Sequence, residues 1–405
     1  MKEIDFKYVE DIWRNNQYPL GIYIHSPYCR SICSYCAYKG NLIDEGFDRY
    51  FNEVLPESIR KYRPIIDANK VRSIYFGGGT PNFNSDMKNL IPALEMLKDV
   101  RCVEKAIELH MGIPITDETV DMVKRYGFNT VILCQQTFNE NLLRKHNRVV
   151  TSENDMAEIV RKFHSFGIRC GSDFLYFEDE PIDALIKDME ISVDANLDEI
   201  TIAPIYRNRT EISRREFLKI YELFNNDGRY VSDTSEKDLN DTQWAGLKTF
   251  RWVKRSLFQD FKGFGRFYSF VLALDDSIAS YPTYTSVLGI GSFNNKVKKT
   301  YSNVNNQWFY CEDFDGNDTH YYLIKEKSFY DKMREVIDWA ESCSVEPPPS
   351  GVSFSFQNTD MSGCNGDYDG IGLSYSIDLP MVEKSRYIDN LIKNKPRLTS
   401  KLKEI

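Results

Sequence analysis

The stretch "LGIYIHSPYCRSICSYC" (residues 20–36) joins an apolar run, rich in β-branched residues, to three closely spaced cysteines. The apolar run is typical of a buried strand, and Cys29, Cys33 and Cys36 follow soon after it ends. In a chain with nine cysteines, three at these separations rarely arise by chance. Structural zinc sites and iron–sulfur clusters normally take four protein ligands, and no fourth cysteine lies close by. The spacing therefore predicts a metal centre whose fourth ligand is not a cysteine of this loop.

Strand-like and helix-like segments alternate from about residue 20 to residue 205. The predicted strands cover residues 20–25, 71–76, 105–111, 129–135, 169–177 and 198–203, with amphipathic helical stretches between them. Six strands, each followed by a crossover, predict a parallel sheet with helices outside, either as an open doubly wound sheet or as a partial barrel. In both architectures ligands bind at the carboxyl ends of the strands, which is where the cysteines lie.

The pattern is weaker in the second half of the chain. We predict helices at about 212–225, 240–258 and 319–341, strands in "YTSVLGIG" and "KKTYSNVNNQWFYC", and a Gly/Pro-rich loop over 344–372. The change of pattern predicts a first domain over residues 1–210 and a second domain, which we expect to set substrate specificity, over residues 211–405.

Composition excludes several classes of protein. The 405 residues are 42% hydrophobic and 27% charged, as in a globular protein, and no apolar run is long enough to cross a bilayer. The N-terminus lacks a secretory signal, and an odd number of dispersed cysteines indicates reduced thiols, so we expect a cytoplasmic protein. A net charge of -9 argues against nucleic-acid binding. We also expect a monomer.

Two kinds of metal centre fit the three cysteines. His25, four residues before Cys29, would complete a zinc site of three cysteines and one histidine. Alternatively, three thiolates hold a four-iron cluster and leave one iron open to a small molecule. The CxxxCxΦC spacing, with Tyr35 as the aromatic, resembles the signature of radical S-adenosylmethionine (SAM) enzymes. That resemblance implies a [4Fe-4S] cluster whose open iron binds the amino and carboxylate groups of SAM, the missing ligand.

A glycine run at the end of the second predicted strand supports this resemblance. In "IYFGGGTPN" (residues 74–82), consecutive glycines allow the backbone to approach a ligand closely. A similar stretch in radical SAM enzymes contacts the methionine end of SAM. The resemblance therefore assigns Gly78, Gly79 and Thr80 to cofactor binding.

The segments "GIYIHSPYC", "FGGGTPN", "GFNTVILCQQTFNENLLRKHNR" and "GSDFLYF" are similar to the oxygen-independent coproporphyrinogen dehydrogenase (HemN-like) branch, over residues 20 to about 205. This resemblance implies an α/β fold: a partial (β/α)6 TIM-type barrel followed by a C-terminal α+β domain. It places Tyr23 beside the cluster and SAM, and Tyr35 near the adenine. It assigns the polar groups of SAM to Glu108, Gln136, Arg148 and Asp173.

Physical chemistry supports these assignments in part. Glu108, Gln136 and Asp173 are polar residues near the ends of apolar strand runs, where burial demands a partner, either SAM or one another. Cys134, also at a strand end, is a candidate thiol hydrogen donor, although a strand cysteine more often only packs. We take Tyr23 and Cys134 as the catalytic candidates.

The sequence differs from the dehydrogenase pattern in two ways that bear on its expected function. Tyr38 replaces a further cysteine, and only 28 residues precede Cys29, whereas the dehydrogenase has a longer N-terminal segment. We therefore expect a radical SAM enzyme of the class C methyltransferase or cyclopropanase kind, acting on a small biosynthetic intermediate of natural-product type.

This expectation includes one or two SAM molecules and a flavodoxin or ferredoxin as electron donor. Coproporphyrinogen III dehydrogenation and haem chaperoning are the alternatives. His320 is the only histidine after residue 164, which counts against haem ligation.

Overall fold

A computed structural model describes most of the first half of the chain and separate segments of the second. The described residues are 2–16, 20–36, 40–150, 153–177, 182–204, 214–232, 250–258, 286–291, 298–304, 307–314, 318–323, 352–360 and 369–377. Tyr38 and much of the predicted second domain lie outside them.

The strands are β1 (Lys2–Ile4), β2 (Leu20–Ser26), β3 (Val71–Gly78), β4 (Glu104–His110), β5 (Thr130–Gln136), β6 (Arg169–Tyr176), β7 (Glu199–Pro204), β8 (Tyr230–Ser232), β9 (Phe250–Lys254), β10 (Ser286–Gly291), β11 (Lys298–Val304), β12 (Gln307–Phe314), β13 (Asp318–Leu323), β14 (Val352–Asp360) and β15 (Asp369–Ile377). The helices are α1 (Phe6–Arg14), α2 (Gly46–Arg49), α3 (Leu55–Ala68), α4 (Ile91–Met96), α5 (Asp117–Arg125), α6 (Glu140–Lys145), α7 (Glu153–His164), α8 (Ile182–Asp194), α9 (Arg214–Asp227) and α10 (Arg255–Phe258). A π-helical turn, Tyr50–Val54, joins α2 to α3, and a 3₁₀ turn, Lys88–Leu90, precedes α4.

The centre of the molecule is a parallel sheet made of β/α units. Strands β2 to β7 lie side by side in chain order, each parallel to the next, with helical crossovers between them. All seven residues of β2 are buried, as expected for a parallel strand covered on both faces. The predicted α/β class and the six predicted strands are confirmed.

Both edges of the six-stranded parallel sheet are extended, at one edge first by a further parallel strand and otherwise by antiparallel strands. Beyond β2, β10 pairs in parallel and is followed outward by β11, β12, β13 and β1, while β9 and β8 lie beyond β7. The result is a sheet of 13 strands drawn from both halves of the chain. The domain boundary at residue 210 stays a prediction.

The second half corrects three local predictions. Within the predicted helix 319–341, the described residues belong to β13, and within 240–258, β9 precedes the short α10. Within the predicted loop 344–372, β14 and β15 form an antiparallel pair. Strand β13 has β12 and β1 as neighbours, and such pairing overrides weak local preference. The predicted helix near 212–225 is confirmed as α9.

Helix ends follow the sequence where capping residues are present. Thr116 and Thr119 form reciprocal side chain to backbone bonds at the start of α5. Gly127, with φ +71°, ends the turn after it. Among the helices that the structure describes, none is long and apolar enough to span a membrane.

Candidate cluster and cofactor site

The three cysteines lie on the loop that follows β2, at the carboxyl edge of the parallel sheet. Cys33 is buried and Cys29 and Cys36 are partly buried, and all three are thiols. Backbone hydrogen bonds fix the loop: Cys29 N–H donates to Asn41 O at 2.8 Å, and Asn41 N–H donates to Pro27 O at 2.6 Å. The loop thus presents three thiols from one short, tied segment.

Two glycines pack directly against the Cys29 thiol. A β-carbon on Gly79 would lie 2.9 Å from Cys29 Sγ and 2.5 Å from Tyr28 O, and one on Gly40 would lie 2.6 Å from the same sulfur. Gly79 N–H also donates to Ser26 O at 2.6 Å. These separations are too short for any side chain, so glycine is required on both sides of the thiol.

Burial raises the pKa of the Cys29 thiol, and a hydrogen bond with the buried Thr80 opposes that rise. Gly78, the preceding glycine, has φ +106°, and a β-carbon there would lie 2.6 Å from the His25 ring. The glycine run therefore packs on Cys29 at one end and on His25 at the other.

A polar network lies behind the glycine run. The Glu108 carboxylate accepts from Tyr75 Oη at 2.7 Å and from Gly78 N–H at 3.1 Å. Tyr23, stacked on Tyr75 with ring centroids 6.2 Å apart, shares a 2.9 Å hydrogen bond between its hydroxyl and His25 Nδ1. Burial lowers the pKa of His25 to about 3, so the imidazole is neutral at pH 7. Glu108 and Tyr23 are thus held in the site by neighbouring strands.

The geometry does not favour the zinc alternative. Within the described segments, no three His, Cys, Asp or Glu side chains are placed to share a single metal ion. Thiolates that bind different irons of a cluster stand farther apart than the ligands of one ion, so the same finding is compatible with a cluster.

Arg148 connects the cysteine loop to β5. Its guanidinium donates to Cys33 Sγ at 3.6 Å and to Cys134 O. Burial disfavours the charge of Arg148, but Tyr35, Cys33 and Cys134 together leave its pKa above the usual value. A permanent positive charge therefore lies beside one of the three thiols.

The residues before Arg148 bind the cysteine loop as well. Ser34 Oγ lies 2.7 Å from His146 Nδ1, Ser34 N–H donates to His146 O at 3.4 Å, and Asn147 Nδ2 donates to Ile32 O at 3.2 Å. Neither His146 nor Asn147 was singled out from the sequence. Their position in "HNR" next to Arg148 was the available signal, but no local pattern reveals contacts across more than a hundred residues.

Tyr35 lies in an aromatic cluster at the same edge. Its ring meets His146 and Phe177 edge-on at 5.4 and 5.5 Å, and the latter two rings stack at 4.7 Å. The Tyr35 hydroxyl is buried near Cys33 and Arg148. Burial raises the pKa of Tyr35 well above its usual value. Phe177, at the end of "GSDFLYF", is a third residue that the sequence did not single out, after His146 and Asn147.

Gln136, Asp173 and Cys134 lie at the ends of β5 and β6. Gln136 has φ +74°, and its Nε2 donates to Asp173 O at 3.3 Å, beside an irregularity in the β5–β6 register. Cys134 is partly buried with its sulfur 3.8 Å from Ile132 O. The structure thus brings the predicted residues to one edge of the sheet; their roles toward SAM stay predictions.

Comparison with known proteins agrees with this geometry. Residues 23–192 match the family model described as the Radical SAM superfamily. This stretch is thus similar to a radical SAM domain, and HemW and HemN proteins are among its relatives. Three thiols on one loop, glycines against one of them and a guanidinium beside another fit the [4Fe-4S] cluster and SAM, the cofactors of this superfamily.

Sequence relatives of the radical SAM domain come from two groups. The chain is 27% identical over 191 residues to the heme chaperone HemW of Buchnera aphidicola subsp. Acyrthosiphon pisum, covering 45% of this chain and 50% of that protein. It is 30% identical over 148 residues to the oxygen-independent coproporphyrinogen III oxidase of Pseudomonas aeruginosa, covering 35% of this chain and 32% of that protein. The chain thus spans half or less of these relatives.

The fold extends the likeness over a longer stretch. The solved structure of coproporphyrinogen III oxidase (HemN) from Escherichia coli superposes with a TM-score of 0.59 and 13% identity, covering 96% of this chain and 93% of that one. Beside the mixed sheet of 13 strands, this likeness confirms the predicted fold class.

Proposed function

We propose that this protein cleaves SAM reductively and uses the resulting radical to abstract hydrogen from a small biosynthetic intermediate, leading to methylation, cyclopropanation or a related carbon coupling. The observation that carries the proposal is the Cys29 thiol packed between Gly40 and Gly79, with Arg148 on the neighbouring Cys33. When bound, the cluster would supply the electron that breaks a carbon–sulfur bond of SAM, releasing methionine and a 5′-deoxyadenosyl radical.

The protein's own part is binding and orientation. Cys29, Cys33 and Cys36 would hold the cluster. Arg148, already charged and directed toward Cys33, would pair with the SAM carboxylate in a bidentate way.

Glu108 holds the glycine run through Gly78 N–H, and its carboxylate retains lone pairs for a ribose hydroxyl. Gln136 and Asp173, joined by a hydrogen bond at the strand ends, would complete the polar contacts.

Exclusion of water is the second contribution. Tyr35, His146 and Phe177 pack ring against ring beside the cysteine loop, so apolar surface borders the reacting end of the site. A reactive radical requires such shielding from solvent. Cys134, partly buried at the end of β5, is the proposed thiol that returns a hydrogen atom to the substrate radical; the Cys134 thiyl radical left behind would regain its thiol by taking one electron from the electron-donor protein and one proton from solvent.

The test is anaerobic reconstitution with iron and sulfide, followed by reduction, addition of SAM and chromatography of the products. Formation of 5′-deoxyadenosine that requires all three cysteines is the expected result. S-adenosylhomocysteine formed alongside it would identify methyl transfer that consumes two SAM molecules. Recovery of intact SAM from iron-loaded, reduced protein would contradict the proposal.

The relatives support a second candidate, haem binding and transfer, because curated proteins that match the radical SAM domain are named heme chaperones. Within the described side chains, His25 is buried, His110 is partly buried and His164 lies 2.7 Å from Asp198, which leaves the partly exposed His146 beside the cysteine loop as the candidate haem ligand. A haemin titration followed by absorbance separates the candidates: a stoichiometric spectral shift favours the chaperone.

The third candidate, coproporphyrinogen III dehydrogenation, takes its support from relatives named coproporphyrinogen III oxidases. An anaerobic assay for protoporphyrin fluorescence after oxidation tests it. Product formed from coproporphyrinogen III would replace the carbon-coupling proposal.

A further inference from the structure

The surface around the cysteine loop is basic, although the protein is acidic. Two contacting segments, 29–36 and 141–150, contain Arg30, Arg144, Lys145 and Arg148 but no Asp or Glu, whereas the whole chain carries a net charge of -9. The contact is direct, through the hydrogen bonds of Ser34 with His146. Positive charge is therefore concentrated where the thiols approach the surface.

Three of these basic side chains are exposed: Arg30, Arg144 and Lys145, called here the basic rim. Arg30 is held in place by donating to Phe83 O at 2.8 Å and by lying over the Phe83 ring. Arg144 forms a 3.2 Å ion pair with Glu140, and both side chains are more than half exposed, so the pair is weak and easily exchanged for another partner.

Apolar residues adjoin the basic rim. Leu42, Ile43 and Val149 are 55%, 58% and 54% exposed. Leu42 and Ile43 follow Asn41, which is bonded to Cys29, and Val149 follows Arg148. The exposed Asp44 and Glu45 follow Ile43, so charge near these apolar residues is mixed and the excess of positive charge belongs to the basic rim. Exposed apolar side chains next to a charged rim are typical of an interface with another protein.

We propose that the basic rim and these apolar residues form the docking surface for an acidic electron-transfer protein of the flavodoxin type. The proposal rests on the proposed function, since SAM cleavage consumes one electron, which the donor gives up as it is oxidised by one electron. The cysteine loop carries both the thiols and part of the docking surface, so a protein bound there lies next to the electron's destination. Attraction between an acidic donor and the basic rim overcomes the repulsion that the acidic remainder of the chain exerts.

The chain offers a matched control. Arg144 and Lys145 occupy the last turn of α6, next to the cysteine loop, and Lys124 and Arg125 occupy the last turn of α5, which leads into the start of β5 at the opposite edge of the sheet. All four side chains are exposed. The variants R144E/K145E and K124E/R125E therefore change net charge equally at opposite edges, and R144Q/K145Q provides a milder change that removes charge without reversing it.

The experiment uses reconstituted full-length protein and reduced flavodoxin. Flavodoxin binding is measured by titration at low and high salt, and SAM cleavage is driven in parallel by reduced flavodoxin and by dithionite. For R144E/K145E we expect about tenfold weaker binding at low salt and a similar loss of flavodoxin-driven cleavage. R144Q/K145Q should lose less binding affinity and less flavodoxin-driven cleavage than R144E/K145E. Both α6 variants should keep the iron content and the dithionite-driven cleavage of the wild type. K124E/R125E should behave like the wild type in every assay.

The docking proposal would be overturned if the α6 and α5 variants bound flavodoxin equally well. It would also be overturned if R144Q/K145Q lost dithionite-driven cleavage. Rim-dependent binding of heparin without any effect of the rim on flavodoxin would overturn it as well, in favour of a nucleic-acid-like polyanion. A different result would contradict the proposed function: wild-type protein binds flavodoxin through the basic rim but leaves SAM intact under dithionite. Failure of the docking surface and failure of the proposed function are therefore distinguishable.

Discussion

At the scale of single residues, the site depends on how closely the glycine run of β3 approaches the cysteine loop. Gly79 illustrates this, because its missing side chain allows the end of β3 to lie against both the Cys29 thiol and the Tyr28 carbonyl. The glycine run of the sequence indicated a ligand site. What it could not show is that the first contact of Gly79 is with the cysteine loop itself.

Replacement of Gly79 by alanine should displace the cysteine loop, since the new β-carbon would lie 2.5 Å from a backbone oxygen that cannot rotate away. We expect at least a tenfold loss of iron retained after reconstitution, measured by metal analysis and visible absorbance. Gly167→Ala is the control: Gly167 also has positive φ, +72°, but nothing lies within 4 Å of an added β-carbon. It should cost about 1–2 kcal/mol of stability and retain iron. Equal iron content in both variants would show that the contact of Gly79 with the cysteine loop is not needed for cluster binding.

Replacement of Arg148 by lysine keeps the charge but removes the planar pair of donors that reaches Cys33 and Cys134. We expect SAM to bind about 10- to 100-fold more weakly, measured by equilibrium dialysis against cluster-loaded protein, at unchanged iron content. Unchanged affinity would show that Arg148 serves the loop and does not contact SAM.

At the scale of elements, the ends of the strands are fixed by side chains from other segments. Asn82 is fully buried in the "GGGTPN" segment and bonds the end of β4 twice, accepting from His110 N–H at 2.7 Å and donating to His110 O at 3.3 Å. The His110 ring in turn accepts from Gly112 N–H at 2.9 Å. The carboxyl edge of the sheet is thus tied together independently of any cofactor.

The partly buried His110 makes stability depend on pH. Burial, followed by the charge of Arg148, lowers the folded pKa of His110 to about 3, whereas an unfolded histidine has a pKa of about 6.5. Between these values the unfolded chain binds a proton that the folded chain does not. The free energy of unfolding should therefore fall by about 1.4 kcal/mol per pH unit below pH 6.5 on account of this residue.

Urea unfolding at pH 7.5 and 5.5 measures this contribution. His110→Gln retains an acceptor for Gly112 and should lose the His110 share of the pH dependence, about 1.4 kcal/mol between these two pH values. If the free energy of unfolding depends on pH equally in the variant and the wild type, a residue other than His110 takes up the proton.

At the scale of the whole molecule, one buried carboxylate joins the edge hairpin β8–β9 to the parallel sheet. Asp198 accepts from Cys170 N–H and Lys254 Nζ, each at 2.8 Å, and lies 2.7 Å from His164 Nε2. Burial tends to raise the pKa of Asp198, but these partners outweigh it and hold the pKa below its usual range.

Replacement of Asp198 by alanine should cost about 3–5 kcal/mol, because it leaves the largely buried Lys254 ammonium and the Cys170 amide without their acceptor. The measurement is urea unfolding followed by far-UV circular dichroism. Asp11→Ala removes an exposed partner of Arg14 and should cost less than about 1 kcal/mol. A cost for Asp198→Ala as small as that of Asp11→Ala would rule out a structural role for the network.

The parallel strands could be predicted from the sequence because each is a short apolar run, and several of the intervening helices end at glycine. Strands β9 and β13 could not, since each pairs on one side with a strand distant in the chain, β7 and β1 respectively. In the site, Cys29, Cys33 and Cys36 could be predicted as cluster ligands from their spacing in the sequence. The contacts of His146 and Asn147 with the cysteine loop arise only when β2 and α6 meet in the folded sheet.

The pairing of β1 with β13 has a consequence for biosynthesis. Residues Lys2–Ile4 are synthesised more than 300 residues before their partner Tyr321–Leu323. Contacts so distant in the chain form slowly, and an unpaired strand edge is prone to association with other chains. Cotranslational folding can thus complete strands β2 to β7 early, while the outer margin of the sheet cannot form until β13 has been translated.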